Sequence, residues 1–197
     1  PVSDVRLVSV NYTALSVEWD VYGAEPEWIA SYVTFGDTVW TSQSVSGTPT
    51  ATVQNLTPNT PYYFRVQADC GNGDVSETSL PILARTECAL LAQLPFSENF
   101  DGVQGSTTGS VNNLPDCWNH LSGTYASYAG YPIVYSTATY AQSTPNSLRF
   151  YTYTGTTDYG DQYAILPPID PSVYPINTLR MRFAAREGST TSTYDFR

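Results

Sequence analysis

The side chains able to do chemistry in this sequence include one histidine, His120, three cysteines, Cys70, Cys88 and Cys117, and eighteen carboxylates. A single histidine cannot supply the clustered imidazoles of a zinc site. It could serve a Cys–His nucleophile pair only if Cys117 were a free, activated thiolate. Trp118-Asn119-His120 reads more simply as the end of a strand anchored by Trp118. No Gly-x-Ser-x-Gly elbow, phosphate-cradling glycine loop or dinucleotide fingerprint occurs. Gly71-Asn72-Gly73-Asp74 has the composition of a hairpin turn, where Asn and Gly take up positive φ. Carboxylate pairs suited to glycoside hydrolysis exist at Asp158 with Asp161, Glu98 with Asp101, and Glu25 with Glu27. Each pair lies beside Gly, Pro or Asn, the usual surroundings of solvated loop acids. Glu98 and Asp101 also qualify as hard oxygen ligands for a structural calcium, with backbone carbonyls and Asp158, Asp161 or Asp195 completing the shell.

Aromatic rings are the other chemical resource. Tyr125, Tyr128, Tyr131 and Tyr135 fall in a Gly/Ser/Ala-rich stretch, Tyr140 follows, and Tyr151, Tyr153 and Tyr159 come later. A tyrosine is apolar on its face and polar at its tip, so exposed rings can stack on sugars while Asn, Gln and Arg bind the hydroxyls. The competing role for these rings is to cover the edges of a β core. Arg180, Arg182 and Arg186 form a stripe that can take anionic glycans or peptide carboxylates, or simply face solvent beside Asp and Glu.

Composition narrows the classes. The chain has 197 residues, a net charge of −10, and no lysine, all eight cations being arginine. Binding nucleic acid needs clustered cations, which this surface lacks. Charged residues are 13% against the ~25% of ordinary domains, and Ser and Thr at 45 positions take over much of the solubilising. Hydrophobic content of 41% is ample for a core. No apolar run approaches the ~20 residues of a membrane helix; the neighbourhood Ala89–Leu94 is short and contains Gln93. No signal peptide opens the sequence, so Pro1 reads as a processed or engineered start, and the alternating Tyr194–Arg197 ends without a terminator.

The elements that must position these residues are strands. Apolar residues recur at period 2 in short runs separated by Gly, Pro, Asn and Ser. Residues 1–87 divide into Val5–Val10, Leu15–Asp20, Ile29–Gly36, Thr38–Val45, Thr50–Leu56, Tyr62–Cys70 and Val75–Thr86. Seven such runs in this length fit an immunoglobulin-like sandwich. Trp19 and Val17 share a face of the second run. In Leu56-Thr57-Pro58-Asn59-Thr60-Pro61-Tyr62-Tyr63-Phe64-Arg65-Val66-Gln67-Ala68, Tyr62, Phe64, Val66 and Ala68 alternate inward behind a corner at Pro58-Asn59, where a tyrosine hydroxyl can bond back to upstream backbone. This Leu-x-Pro-x-Thr-x-Tyr-x-x-x-Val-x-Ala run, with Trp19 upstream, resembles the fibronectin type III family. Pro61 departs mildly from the pattern and is tolerable at a strand's first or edge position.

After a linker at 88–93, a second unit at 94–197 opens with Leu94-Pro95-Phe96-Ser97-Glu98-Asn99-Phe100 and continues through Leu114-Pro115-Asp116-Cys117-Trp118, Ser147–Tyr153 and Gln162–Pro167. It ends in Thr178–Arg186, which alternates Leu179, Met181, Phe183 and Ala185 against Arg180, Arg182, Ala184 and Arg186, the pattern of a half-buried antiparallel strand. The order of these pieces resembles the cleaved-adhesin and MAM-like β-jelly-roll modules of Bacteroidetes surface proteins and gingipain-type proteases. That resemblance implies an all-β jelly roll, incomplete at this length. It also implies a fibronectin type III neighbour and a structural calcium, and it strengthens the reading of Glu98 and Asp101. A bacterial source would leave the glycosylation sequons at Asn11 and Asn55 silent.

If Gly71–Asp74 turns a hairpin, Cys70 lies opposite Val75 and roughly 40 Å along the strand from Cys88, against the ~7 Å that a bridge spans. Cys88 and Cys117 flank the first strand of the second unit, so a bridge is expected there. It would close a loop of about 30 residues and contribute on the order of 3–4 kcal/mol. Cys70 is then left over, with a partner expected upstream of Pro1. Three free buried thiols are the alternative. A bridge places the chain in an oxidising compartment, outside the cell or on a bacterial surface. The leading expectation is thus a non-catalytic module that needs no cofactor for chemistry. It would bind a glycan or an extracellular host or matrix protein through Tyr125, Tyr128, Tyr131, Tyr159, Arg180 and Arg182, with the rest of its parent chain as a further partner. A purely architectural spacer and a hydrolase fragment are the rivals.

Overall fold

The computed structural model describes residues 2–108, 112–121, 131–151 and 161–186. The chain is all-β and divides into two units, Pro1–Ala89 and Leu90–Arg197, with the boundary inside the stretch read as linker.

The first unit is a sandwich of two antiparallel sheets. One pairs β1 (Val2–Val10), β2 (Leu15–Val21) and β5 (Thr50–Val53) in the order β1-β2-β5. The other runs β4-β3-β6-β7, with β4 (Thr41–Ser46), β3 (Glu27–Thr34), β6 (Pro61–Gly71) and β7 (Asp74–Val75), while β8 (Ile82–Arg85) also pairs with β6. Alternation dictates what lies between the sheets, because successive strand side chains point to opposite faces. Leu15, Val17 and Trp19 of β2 meet Tyr62, Phe64, Val66 and Ala68 of β6, all buried, together with Trp28, Ala30, Ala51, Val53 and Ala84. Trp19 and Trp28 meet edge to face with centroids 5.8 Å apart, the arrangement their ring quadrupoles favour. Pro61 is the first residue of β6, where its missing N–H costs no ladder bond.

The hairpin at Gly71–Asp74 forms with Asn72 and Gly73 both at positive φ, 55° and 83°. Its register departs from the expected one. Val75 faces Asp69, and Asp74 faces Gly71, so Cys70 is the extra residue of a bulge rather than the partner of Val75. The expected run Val75–Thr86 is likewise broken into β7 and β8. Between them the Ser76 and Ser79 hydroxyls accept from the backbone N–H groups of Ala68 and Val66 at 2.9 and 3.0 Å. Side chains thereby replace part of the ladder.

In the second unit, β9 (Asn119–Leu121) pairs with β12 (Tyr163–Ile165), and β10 (Ile133–Ser136) pairs with β11 (Asn146–Arg149). Ile133 and Val134 are fully buried. Asn119-His120 opens a strand rather than ending one. The expected strand over Thr178–Arg186 does not form. A 3-10 turn at Ile176–Thr178 leads into irregular chain, and Met181 and Phe183 are 68% and 65% exposed. Alternation names the face a strand would bury but supplies no pairing edge. Among the described residues no strand pairs with this segment.

Candidate functional site

The ring-bearing region of the second unit is organised around Arg149, at the end of β11. Its guanidinium carbon lies 4.3 Å from the Tyr135 ring centroid, 4.6 Å from that of Tyr151 and 6.0 Å from that of Tyr131. The antiparallel register explains the first contact, since Ile133 faces Arg149 and Tyr135 faces Ser147, two residues along. Tyr131 and Tyr151 stack at a tilt with centroids 5.4 Å apart. The Gln162 side chain then clamps the Tyr151 backbone from both sides, accepting from its N–H at 3.1 Å and donating to its carbonyl at 2.6 Å.

This geometry decides the part Tyr131 plays. Of the two roles open to these rings, Tyr131 takes that of covering a core edge, being only 5% exposed. Burial raises its hydroxyl pKa, the Arg149 charge opposes that rise, and Tyr151 and Tyr135 add to it. A covered ring under a guanidinium is an anchor, not an open stacking platform. Tyr125, Tyr128 and Tyr159, with Tyr153, Asp158 and Asp195, lie outside the described residues. Arg180 and Arg182 are exposed. Arg186 leaves the stripe, donating to the Thr139 carbonyl at 2.7 Å and lying 5.1 Å from the Tyr140 ring centroid.

Glu98 and Asp101 belong to a tight turn. Glu98 accepts from the Phe100 N–H at 2.6 Å, and Asp101 accepts from the Asn99 side-chain amide at 2.8 Å. The Phe100 and Val103 carbonyls, natural companions for a cation, instead accept from the buried Asn146 amide at 2.9 and 2.7 Å. Asp101 Oδ1 and Asn146 Oδ1 are both left buried without a hydrogen-bond partner. No group of three His, Cys, Asp or Glu able to hold a metal occurs among the described residues. Two of the further ligands expected for a calcium, Asp158 and Asp195, lie outside the described residues.

Cys88 and Cys117 are disulfide-bonded, and Cys70 is a free, exposed thiol. A bonded Cys117 cannot be the thiolate of a Cys–His pair with His120. Asp161 accepts from the Tyr163 hydroxyl at 3.0 Å. Sequence reasoning missed the amides that hold this unit together: Asn146, Gln162 and Asn113, whose side chain donates to the Val134 carbonyl at 2.7 Å and accepts from its N–H at 3.0 Å. Their partners lie 9 to 46 residues away, so no local pattern betrays them.

The family model for the fibronectin type III domain matches residues 1–85, and the first unit is a domain of that family. Solved structures similar to it include the FN5 domain of Drosophila Lar, at 21% identity over 45% of this chain and 96% of that one, with a TM-score of 0.40. The FN1–FN3 domains of chicken CNTN1 match at 22% identity over 44% of this chain and 30% of that one, with a TM-score of 0.41. An FN3 domain of human collagen XX matches at 20% identity over 43% of this chain and 88% of that one, with a TM-score of 0.38. No curated protein sequence matches the chain.

Proposed function

We propose that this chain is a non-catalytic binding module of an extracellular or bacterial cell-surface protein. In this reading the fibronectin type III unit is a spacer. The second unit is a jelly roll of the cleaved-adhesin or MAM-like kind that holds a glycan or a host matrix protein through tyrosine rings. The observation that carries the reading is the 5.4 Å contact between Tyr131 and Tyr151 under Arg149. Tyr131 directly follows the stretch containing Tyr125 and Tyr128, and Tyr151 directly precedes the one containing Tyr159. One ring cluster therefore joins the residues that flank both tyrosine-bearing stretches, and groups already held by packing lose less entropy on binding. The disulfide supports an oxidising compartment, and the bonded state of Cys117 removes the one nucleophile pair the sequence offered.

The test is a glycan and matrix-protein array probed with the full chain. Binding is expected, and replacing Tyr125, Tyr128 or Tyr159 with Ser should weaken it about threefold to tenfold per ring. A chain that binds nothing on the array is a spacer, and binding indifferent to all three substitutions places the ligand elsewhere. Either result overturns the reading.

A further inference from the structure

We propose that the outer face of the β4-β3-β6 sheet, centred on Arg65 and Trp40, docks a protein segment that sets a carboxylate beside an apolar side chain. This surface belongs to the first unit and is independent of the tyrosine-bearing stretches.

Because Tyr62, Phe64, Val66 and Ala68 point into the core, Tyr63, Arg65, Gln67 and Asp69 point out. The register sets Tyr63 against Val33 and Leu83, Arg65 against Ser31, Gln67 against Ile29, and Asp69 against Glu27. The face therefore grades along the strands. One end is apolar, the middle carries Arg65 beside the Ser31–Ser42 hydroxyl pair, with oxygens 2.9 Å apart, and the far end is acidic. An outward sheet face in water is normally polar. Here Val33 is buried at 5% exposure although it lies outside the main core cluster. Phe35 stacks on Tyr63 with centroids 5.5 Å apart, yet Phe35 and Leu83 stay 53% and 56% exposed.

Arg65 sits at the edge of this apolar end. Its guanidinium carbon lies 3.9 Å from the Trp40 ring centroid, and its Nε is buried without a hydrogen-bond partner. The other two arginines of the unit are satisfied internally. Arg6 binds Glu18 at 2.7 Å and Asp20 at 2.9 Å, and Arg85 donates to the Asn59 carbonyl at 2.7 Å. Residues 1–89 carry ten carboxylates against these three arginines, and still none of them is paired with Arg65 among the described residues. A guanidinium pinned by stacking has already lost its conformational freedom, and its planar fork matches a carboxylate. Trp, Tyr and Arg around an apolar patch are the residue types that dominate protein interfaces. Phe35 and Leu83 offer no polar tip to sugar hydroxyls, which favours a protein over a glycan. A second copy is disfavoured because two equally acidic units repel.

The test is a titration of the isotopically labelled full chain, followed by amide and indole NMR shifts. The probes are acetyl-Leu-Glu-Leu-amide, its Gln counterpart and a neutral hexasaccharide. The Glu peptide should shift Val33, Tyr63, Leu83 and the Trp40 indole, and the Gln peptide should bind about tenfold more weakly. Arg65→Lys, which keeps the charge but not the fork, should weaken the Glu peptide, and Leu83→Ser at its exposed position should weaken both peptides. No shifts, equal response to both peptides, shifts driven by the hexasaccharide, or shifts that follow chain concentration alone would each overturn the proposal.

Discussion

The backbone N–H of Thr57 donates to the phenol oxygen of Tyr62 at 2.9 Å, closing the corner that feeds β6. Thr86, buried at 2% exposure, knits the same corner, accepting from the Thr60 N–H at 2.9 Å and donating to the Thr57 carbonyl at 2.7 Å. Tyr62→Phe keeps the ring in the core and removes only the acceptor. It should cost about 1–3 kcal/mol, because a part-buried N–H loses its partner. The measurement is the urea midpoint reported by Trp19 and Trp28 fluorescence, with an unchanged slope. A midpoint equal to that of the parent chain would show that water replaces the phenol at no cost.

That corner was legible in the sequence because its information is local: a turn at Pro58-Asn59, then strict alternation from Tyr62 to Ala68. Period 2 over a sheet with one buried face leaves little freedom of register. The same rule misled at Thr178–Arg186, where the pattern is as clean but no edge is there to pair with it among the described residues. Which of its two roles Tyr131 takes was not legible, for the opposite reason. Its neighbours in sequence are small and polar, and its burial depends on Arg149 and Tyr151, eighteen and twenty residues away. The unpaired Arg65 on Trp40 is equally silent, since neither residue type nor spacing says which arginines find carboxylates.

Asn146 is buried at 3% exposure and joins Phe100 to Val103 through one side-chain amide. Asn146→Ala should cost about 1–3 kcal/mol, as the Val103 carbonyl loses the amide donor and the Phe100 carbonyl keeps only the Val103 N–H, at 3.2 Å. Asn146→Asp should be worse at neutral pH, because an ionised carboxylate would face the same two carbonyls and cannot donate. Its protonated form can donate, so the folded state should hold the proton and raise this pKa above the unfolded value of about 3.9. A raised folded pKa gives stability that is complete below the unfolded value and lost as pH climbs through the folded one. Asn146→Asp should therefore approach the parent chain in acid and fall away towards neutrality, and Asn146→Ala should show no such dependence. Urea midpoints across that range measure it, and parallel profiles for the two variants would show that the amide does not act as a donor here.

The Tyr131 hydroxyl titrates above its ordinary value of 10.0, chiefly through burial, with Arg149 pulling it back down. Its neutral form is the one the fold prefers, so its contribution to stability is complete below the unfolded pKa. It is lost as pH rises through the raised folded pKa. Removing the guanidinium in Arg149→Ala takes away a charge that favours the phenolate, along with the contacts to Tyr135 and Tyr151. The variant should therefore titrate later at Tyr131 and unfold at a lower alkaline pH than the parent chain. Carbon NMR of ring-labelled tyrosine follows this, with Tyr131→Phe assigning the resonance. A Tyr131 signal titrating at the ordinary value in the parent chain, or unmoved by Arg149→Ala, would mean that the ring is neither covered nor coupled to the arginine. The anchor beneath the tyrosine-bearing stretches would then be lost, and the proposed binding function with it.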